Sequence, residues 1–183
     1  DLMKFVLPNI FVLKANNDSG GTQIIKPGIK PDVSKIERYK YKPYGKDTGE
    51  WFYFDIKYKC FAEEYIGDNM TDYKFHCSNG IPKCCQVIRD RGIDTNEVIV
   101  DMNGNVLNIH FDEHFRNVKT FNKPQNWTKM IDWASRLSKD FDYVRVDLYT
   151  VKKNVFVGEL TFTPLAGNYK GNGQVELGKL LFP

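Results

Sequence analysis

Arg145-Val146-Asp147-Leu148-Tyr149 is followed by the polar break Lys152-Lys153-Asn154 and then by Val155-Phe156-Val157-Gly158-Glu159-Leu160-Thr161. Two apolar-rich segments around a short polar turn predict a β-hairpin. Successive side chains of a strand point to opposite faces, so Arg145 and Asp147 share one face of the first strand, and Glu159 and Thr161 share one face of the second. Three charges and a hydroxyl can then face one cleft. Neighbouring carboxylates repel unless a cation lies between them, and one or two acidic residues are how Mg²⁺ is held beside the phosphates of a nucleotide. A solvated polar face on an amphipathic hairpin shows the same alternation, so the choice between them rests on the rest of the chain.

Upstream of the hairpin, Met130, Ile131, Ala134 and Leu137 recur at helical spacing between Thr128 and Lys139, with Thr128 as the expected cap. Asp72-Tyr73-Lys74-Phe75-His76-Cys77 alternates, turns at Ser78-Asn79-Gly80 and resumes through Lys83 to Ile88, a second hairpin. Val98 to Val100 and Val106 to Ile109 predict a third. Near the start, Phe11 to Ala15 and Thr22 to Lys26 are strands around the glycine-bearing stretch Asn16 to Gly21, and Asp32 to Tyr39 is a short helix after Pro31. Lys59 to Ile66 is a strand leading into a connection at Gly67 to Thr71, which sets a lobe boundary near Ile66.

At 183 residues, with 42% hydrophobic and 14% aromatic content, the chain can bury a sizeable core and is excluded from the disordered class. No apolar run approaches a membrane span, and Asp1 to Phe5 lacks the pattern of a signal peptide. A net charge of +3 with interspersed signs gives nucleic-acid binding no support. Cys60, Cys77, Cys84 and Cys85 include a vicinal pair and no C-x-x-C, so reduced thiols in a cytoplasm are the simplest account. In Cys84-Cys85, adjacent strand residues point to opposite faces, and one of the two is expected to be buried. The sequons at Asn17, Asn69 and Asn126 matter only in a secretory pathway.

Lys14 places a cation at the base of the Asn16 to Gly21 loop, where Gly20 and Gly21 let backbone amides approach phosphate oxygens. The loop is not a P-loop, and an ordinary turn has the same composition. Order along the chain separates these readings. A strand lysine, a glycine loop, Glu63-Glu64-Tyr65-Ile66, the Asp72-x-Lys74 strand, Arg145-x-Asp147 and Gly158-Glu159-Leu160-Thr161 together resemble the ATP-grasp superfamily. Leu137 to Phe141 with Val144 to Tyr149 and Gly158 to Phe162 resemble its TupA-like branch, found in teichuronopeptide and capsular polysaccharide biosynthesis loci.

The resemblance implies an α+β, ATP-grasp fold of two lobes with mainly antiparallel sheets, here residues 1–66 and 67–183, clamping a nucleotide. It implies that Lys14 meets the α- and β-phosphates and that Ser19, Gly20 and Gly21 belong to the mobile loop over them. Glu63, Glu64, Tyr65 and Ile66 correspond to the adenine linker, Asp72 to the ribose-binding acid, and Lys74 to a phosphate contact. Asp147 and Glu159 correspond to the metal carboxylates, with Arg145 stabilising charge on the transferring phosphoryl group. Thr161 stands where the family has an asparagine ligand, which puts the second metal position in doubt. The turn Thr163 to Gly167 corresponds to one near the acceptor side.

The N-terminal domain that generally precedes the first strand-lysine unit has no counterpart before Phe11, so the reading is of a fragment or of a member needing a partner. The cofactors implied are ATP and Mg²⁺. The activity implied is a carboxylate–amine ligase whose acceptor is a carboxylate-bearing sugar, amino acid or polymer. A sugar or polymer kinase and a degenerate nucleotide-binding module are the alternatives. His110 and His114 have the i, i+4 spacing of a helical zinc site but lack the zincin glutamate, and an acceptor-binding loop suits them better. Arg89, Asp90 and Arg91 are either an anion-binding group or a solvated strand end, and Trp127 and Trp133 are packing residues.

Overall fold

The computed structural model describes residues 9–42, 44–45, 49–68 and 70–183. The opening residues Asp1 to Phe5 and the sequon at Asn69, both read above, lie outside these. The chain divides into two compact units, the first ending at Ile66 and the second running from Gly67 to Pro183.

In the first unit, β1 (Phe11–Ala15), β2 (Gln23–Ile25) and β3 (Cys60–Glu64) form an antiparallel sheet in the order β2-β1-β3. Phe11, Leu13 and Ile25 point to one face and pack with Ile36 of the short helix α1 (Val33–Glu37). Asp32 caps α1, its carboxylate accepting from Lys35 N at 3.2 Å and from the Ser34 hydroxyl at 2.6 Å. The aromatic segment after α1 holds a 3-10 turn, Trp51–Asp55.

The second unit is built on β4 (Asp72–Ser78), β5 (Ile81–Arg89), β6 (Asn96–Val100), β7 (Arg116–Asn117), α2 (Trp127–Ser138), β8 (Val144–Val151), β9 (Asn154–Thr161) and α3 (Gly173–Leu181). Its six strands run in the order β7-β6-β5-β4-β8-β9, antiparallel except for the β6–β7 pair. One face is apolar at its centre. Phe75, Cys85, Val87, Val98, Val146 and Leu148 meet Trp127, Met130 and Ala134 of α2, the helix that its apolar spacing predicts. Each large side chain so buried contributes about 1.5–3 kcal/mol. The helix starts two residues earlier than that cap implies. Asn126, not Thr128, is at its cap, and the Asn126 amide is spent on Thr150 Oγ1 at 2.5 Å and Lys152 O at 3.1 Å, which ties α2 to the β8–β9 turn.

The second face is covered too, which the sequence did not announce. Ile109, Phe111, Tyr169 and α3 residues Leu177 and Leu181 pack on Cys84 and Ile99. Both vicinal cysteines are therefore buried, Cys85 under α2 and Cys84 under α3, where a single buried thiol was expected. Burial pushes the Cys77 and Cys84 thiols up to about 12, and neither is a nucleophile at neutral pH. The expected third hairpin shrinks to a single bridge between Val100 and Val106. After Leu107 N bonds Ile99 O at 2.8 Å, the chain leaves the sheet so that Phe111 N can reach the fully buried Glu97 carboxylate, also at 2.8 Å.

Candidate functional site

Strand register gathers the charged residues of the second unit. Lys74 of β4 lies opposite Asp147 of β8, which lies opposite Glu159 of β9. One row along, His76 faces Arg145 and Arg145 faces Thr161. Simple alternation would put Val155, Val157, Glu159 and Thr161 all on one face. The β8–β9 register shifts, however, so that Leu148 pairs with Val157 while Asp147 pairs with Glu159, leaving Gly158 as the extra residue of a β-bulge. The bulge turns Glu159 and Thr161 onto the Asp147 side. A Cβ at position 158 would come within 2.4 Å of the Tyr149 ring, so glycine is required there.

The resulting cluster is dense. The Arg145 guanidinium donates to both Asp147 oxygens, Nε to Oδ1 at 2.7 Å and Nη2 to Oδ2 at 2.8 Å, and to the Thr161 hydroxyl at 3.0 Å. Lys74 Nζ donates to Asp147 Oδ2. The Thr161 hydroxyl donates to Glu159 Oε1 at 2.7 Å. Side-chain exposure is 12% for Lys74 and Arg145 and 3% for Asp147, so these are buried charges and not a solvated face. Burial by itself would raise the Asp147 carboxyl, but Lys74 and Arg145 hold it below its ordinary value. Burial would likewise lower the Arg145 guanidinium, and Asp147 overrides it upward.

Three further residues complete this face. Asp72 accepts from Arg91 Nε at 2.5 Å, and Lys74 pairs with Asp147. Arg91 makes this contact from the solvated strand end, with its side chain half exposed. His76 is fully buried, shares a 2.9 Å hydrogen bond with the Tyr143 hydroxyl through Nδ1, and is pulled down to about 3 by burial and then by the Arg145 charge. It stays neutral beside the cations. Neither His76 nor Tyr143 was singled out from the sequence, although the alternation Asp72-x-Lys74-x-His76 was the available signal. His110 Nδ1 lies 2.6 Å from Glu97 Oε1, an anchor for the connection under α3, and His114 does not join it.

In the first unit, Lys14 lies on the face opposite Phe11 and Leu13 and pairs with Glu63 across β1 and β3 at 2.5 Å. Ile24 and Phe61 share that face and are exposed. Glu64 is the last residue of β3, and Tyr65 and Ile66 follow it without regular structure. The loop of Ser19, Gly20 and Gly21 is tied to the end of α1 by Arg38, which bonds Asp18 Oδ1 at 2.7 Å and the Ser19 carbonyl. Gly20 has φ +79°, and a Cβ on Gly21 would overlap the Asp18 carboxylate, so both glycines are structurally required.

The family model described as TupA-like ATPgrasp matches residues 1–181. The α+β build, with two mainly antiparallel sheets, is that of an ATP-grasp protein. More narrowly, the chain belongs to the TupA-like ATP-grasp family. Among solved structures it is similar to D-alanine–D-alanine ligase from Bacillus anthracis complexed with ATP, at 17% identity and TM-score 0.45, covering 84% of this chain and 41% of that one. The same Bacillus anthracis enzyme in a second structure gives 14% identity and TM-score 0.48, covering 94% and 53%. D-Ala-D-Ala ligase from Helicobacter pylori gives 15% identity and TM-score 0.43, covering 98% and 50%. The chain thus spans about half the length, or less, of these proteins. A comparison with curated proteins finds no match. Among the described residues, no helix is long and apolar enough to cross a membrane.

Proposed function

We propose that this chain is the nucleotide-binding part of an ATP- and Mg²⁺-dependent carboxylate–amine ligase that works through an acylphosphate in surface or capsular polysaccharide biosynthesis of the teichuronopeptide type. The observation that carries the reading is the buried Lys74–Asp147–Arg145 cluster, with Glu159 and Thr161 in register beside it. Burying three charges costs stability that an apolar core would not, and a preorganised pair of cations is what a transferring phosphoryl group needs. In this reading Lys74 and Arg145 turn from Asp147 to the phosphate oxygens when nucleotide enters. Asp147 and Glu159 would hold Mg²⁺, and the Thr161 hydroxyl would orient Glu159.

Among the described residues, no group of three or more His, Cys, Asp and Glu side chains is disposed to hold a metal. Two carboxylates and a hydroxyl are hard oxygen donors, however, and fit Mg²⁺, which keeps its waters and takes substrate phosphates as ligands. When bound, the ion would neutralise charge developing between the β- and γ-phosphates. Asp72, steadied by Arg91, would accept from the ribose hydroxyls. The reading assigns Lys14 and the Ser19-Gly20-Gly21 loop to the phosphates and Glu63, Glu64, Tyr65 and Ile66 to adenine. The acceptor carboxylate attacks Pγ, the bond from Pγ to the ADP oxygen breaks, and an amine then displaces phosphate from the acylphosphate to leave an amide.

The test is calorimetric titration of ATP with and without Mg²⁺, on the parent chain, on Glu159→Gln, and on Asp147→Asn with Glu159→Gln. Glu159 is exposed, so its single variant separates lost binding from lost folding. Magnesium-dependent binding that Glu159→Gln weakens supports the reading, and its absence in well-folded protein removes it. Thr161 in place of an amide ligand favours a second reading, a degenerate nucleotide-binding module. In that case ATP binds but no acceptor is phosphorylated. A sugar or polymer kinase is distinguished by consuming no amine.

A further inference from the structure

Strand β9 forms one margin of the six-stranded sheet, and among the described residues β8 is its sole partner. It is eight residues long, and Val157 on it is 47% exposed. A strand of that length at a sheet margin presents a row of unpaired N–H and C=O groups, a template for another extended chain.

A groove of ≈ 510 Å³ lies beside this margin, lined by Trp133, Arg136, Leu137 and Lys139 of the α2 flank and by Val157. Val157 pairs with Leu148, whose side chain is under α2, so Val157 points to the same side of the sheet. Trp133 and Leu137 pack partly against that core and leave their outer edges to the groove. The helix packs over β4, β5 and β8 and leaves this side of β9 uncovered, so the groove lies above β9 and opens at its free margin. A strand added at that margin would bring an apolar side chain beside Val157, facing the outer edges of Trp133 and Leu137.

The rim decides the chemistry. Arg136 and Lys139 stand about one helical turn apart on it. The Lys129 ammonium lies over the Trp133 ring at 5.5 Å, adding a third cation. Asp132 meets Arg136 only at 3.8 Å, with both side chains largely in solvent, and does not neutralise the rim.

We propose that the free margin of β9 and the groove between it and α2 receive an extended acidic peptide segment of a partner protein, added to the sheet as a further strand. Main-chain hydrogen bonds to β9 supply the register, an apolar side chain fills the space between Trp133 and Val157, and flanking carboxylates meet Arg136 and Lys139. The site is independent of the nucleotide reading, since it lies at the margin of the sheet on the face opposite Asp147.

The test uses an acetylated, amidated heptapeptide of alternating Glu and Val, its Lys–Val counterpart, and oligogalacturonate as an acidic saccharide. Binding is read by calorimetry, and hydrogen exchange of the Asn154–Thr161 amides by NMR. The acidic peptide is expected to bind and to slow exchange along β9. Arg136→Glu with Lys139→Glu places acids at the C-terminal end of α2, so folding is checked by melting and Arg136→Gln with Lys139→Gln serves as the milder variant. In folded protein the reversal is expected to weaken binding on the order of tenfold and to transfer the preference to the Lys–Val peptide. Absence of peptide binding, binding without protection of β9, or indifference to charge reversal would each overturn the proposal. Tighter binding of oligogalacturonate without β9 protection would also overturn it and assign the groove to a saccharide.

Discussion

The two faces of the six-stranded sheet come from the same strands and have opposite physics. Under α2 the inward side chains are mainly apolar, and the face is held mainly by burial. On the other face an apolar patch under α3 adjoins a cluster in which Lys74, Arg145 and Asp147 are nearly as buried but charged. The first face can be exchanged piece by piece at a cost set by volume. The second is a balanced set in which removal of one member leaves the others uncompensated. A sheet that keeps such a set beside an available apolar core does so at the expense of stability.

The sharpest way to break the comparison is Asp147→Asn, which leaves two buried cations unpaired and is expected to cost about 3–5 kcal/mol in urea unfolding. Replacing the set together, with Lys74→Met, Arg145→Met and Asp147→Leu, is expected to recover most of that loss while abolishing nucleotide binding. If the triple variant is as unstable as the single one, the charges are structural. On the opposite face, Phe75→Ala is expected to cost about 3–5 kcal/mol, yet to leave Mg²⁺-dependent ATP binding intact at temperatures where the chain stays folded.

Gly158→Ala tests the bulge that joins the hairpin to the charged face. Pressing a methyl group on the Tyr149 ring should cost about 1–3 kcal/mol, with nucleotide binding weakened if Glu159 and Thr161 turn away. His76 gives a pH signature. Its folded value of about 3 lies below its unfolded one, so the unfolded chain takes up the proton first. The stability it contributes is whole above about pH 6.5 and drains as pH falls, by about 1.4 kcal/mol per unit. His76→Phe should flatten that slope in unfolding measured from pH 7 to pH 4. The smallest effect belongs to Lys14→Ala, whose half-exposed partnership with Glu63 is worth under about 1 kcal/mol. Its consequence should appear in ATP affinity and hardly in the melting temperature.

Much of this was readable from local pattern. The alternation of β4, β8 and β9 and the helical spacing of α2 mark those elements, because burial on a strand or helix imposes a period that side chains reveal. The failures are equally physical. Val106 to Ile109 looks like a strand but is drawn off the sheet by the need to satisfy buried Glu97. The α3 layer escaped because a short helix near the chain end carries a weak pattern, and with it went the burial of Cys84.

The sequence by itself determined which residues alternate, and therefore that Arg145 shares a face with Asp147 and Glu159 with Thr161. It could not determine that the two pairs share the same face. A strand's period of two is blind to a one-residue bulge elsewhere along it. Only the packing of Gly158 against Tyr149, with Lys74 supplied by a neighbouring strand far away in sequence, turned two amphipathic segments into one charged cluster.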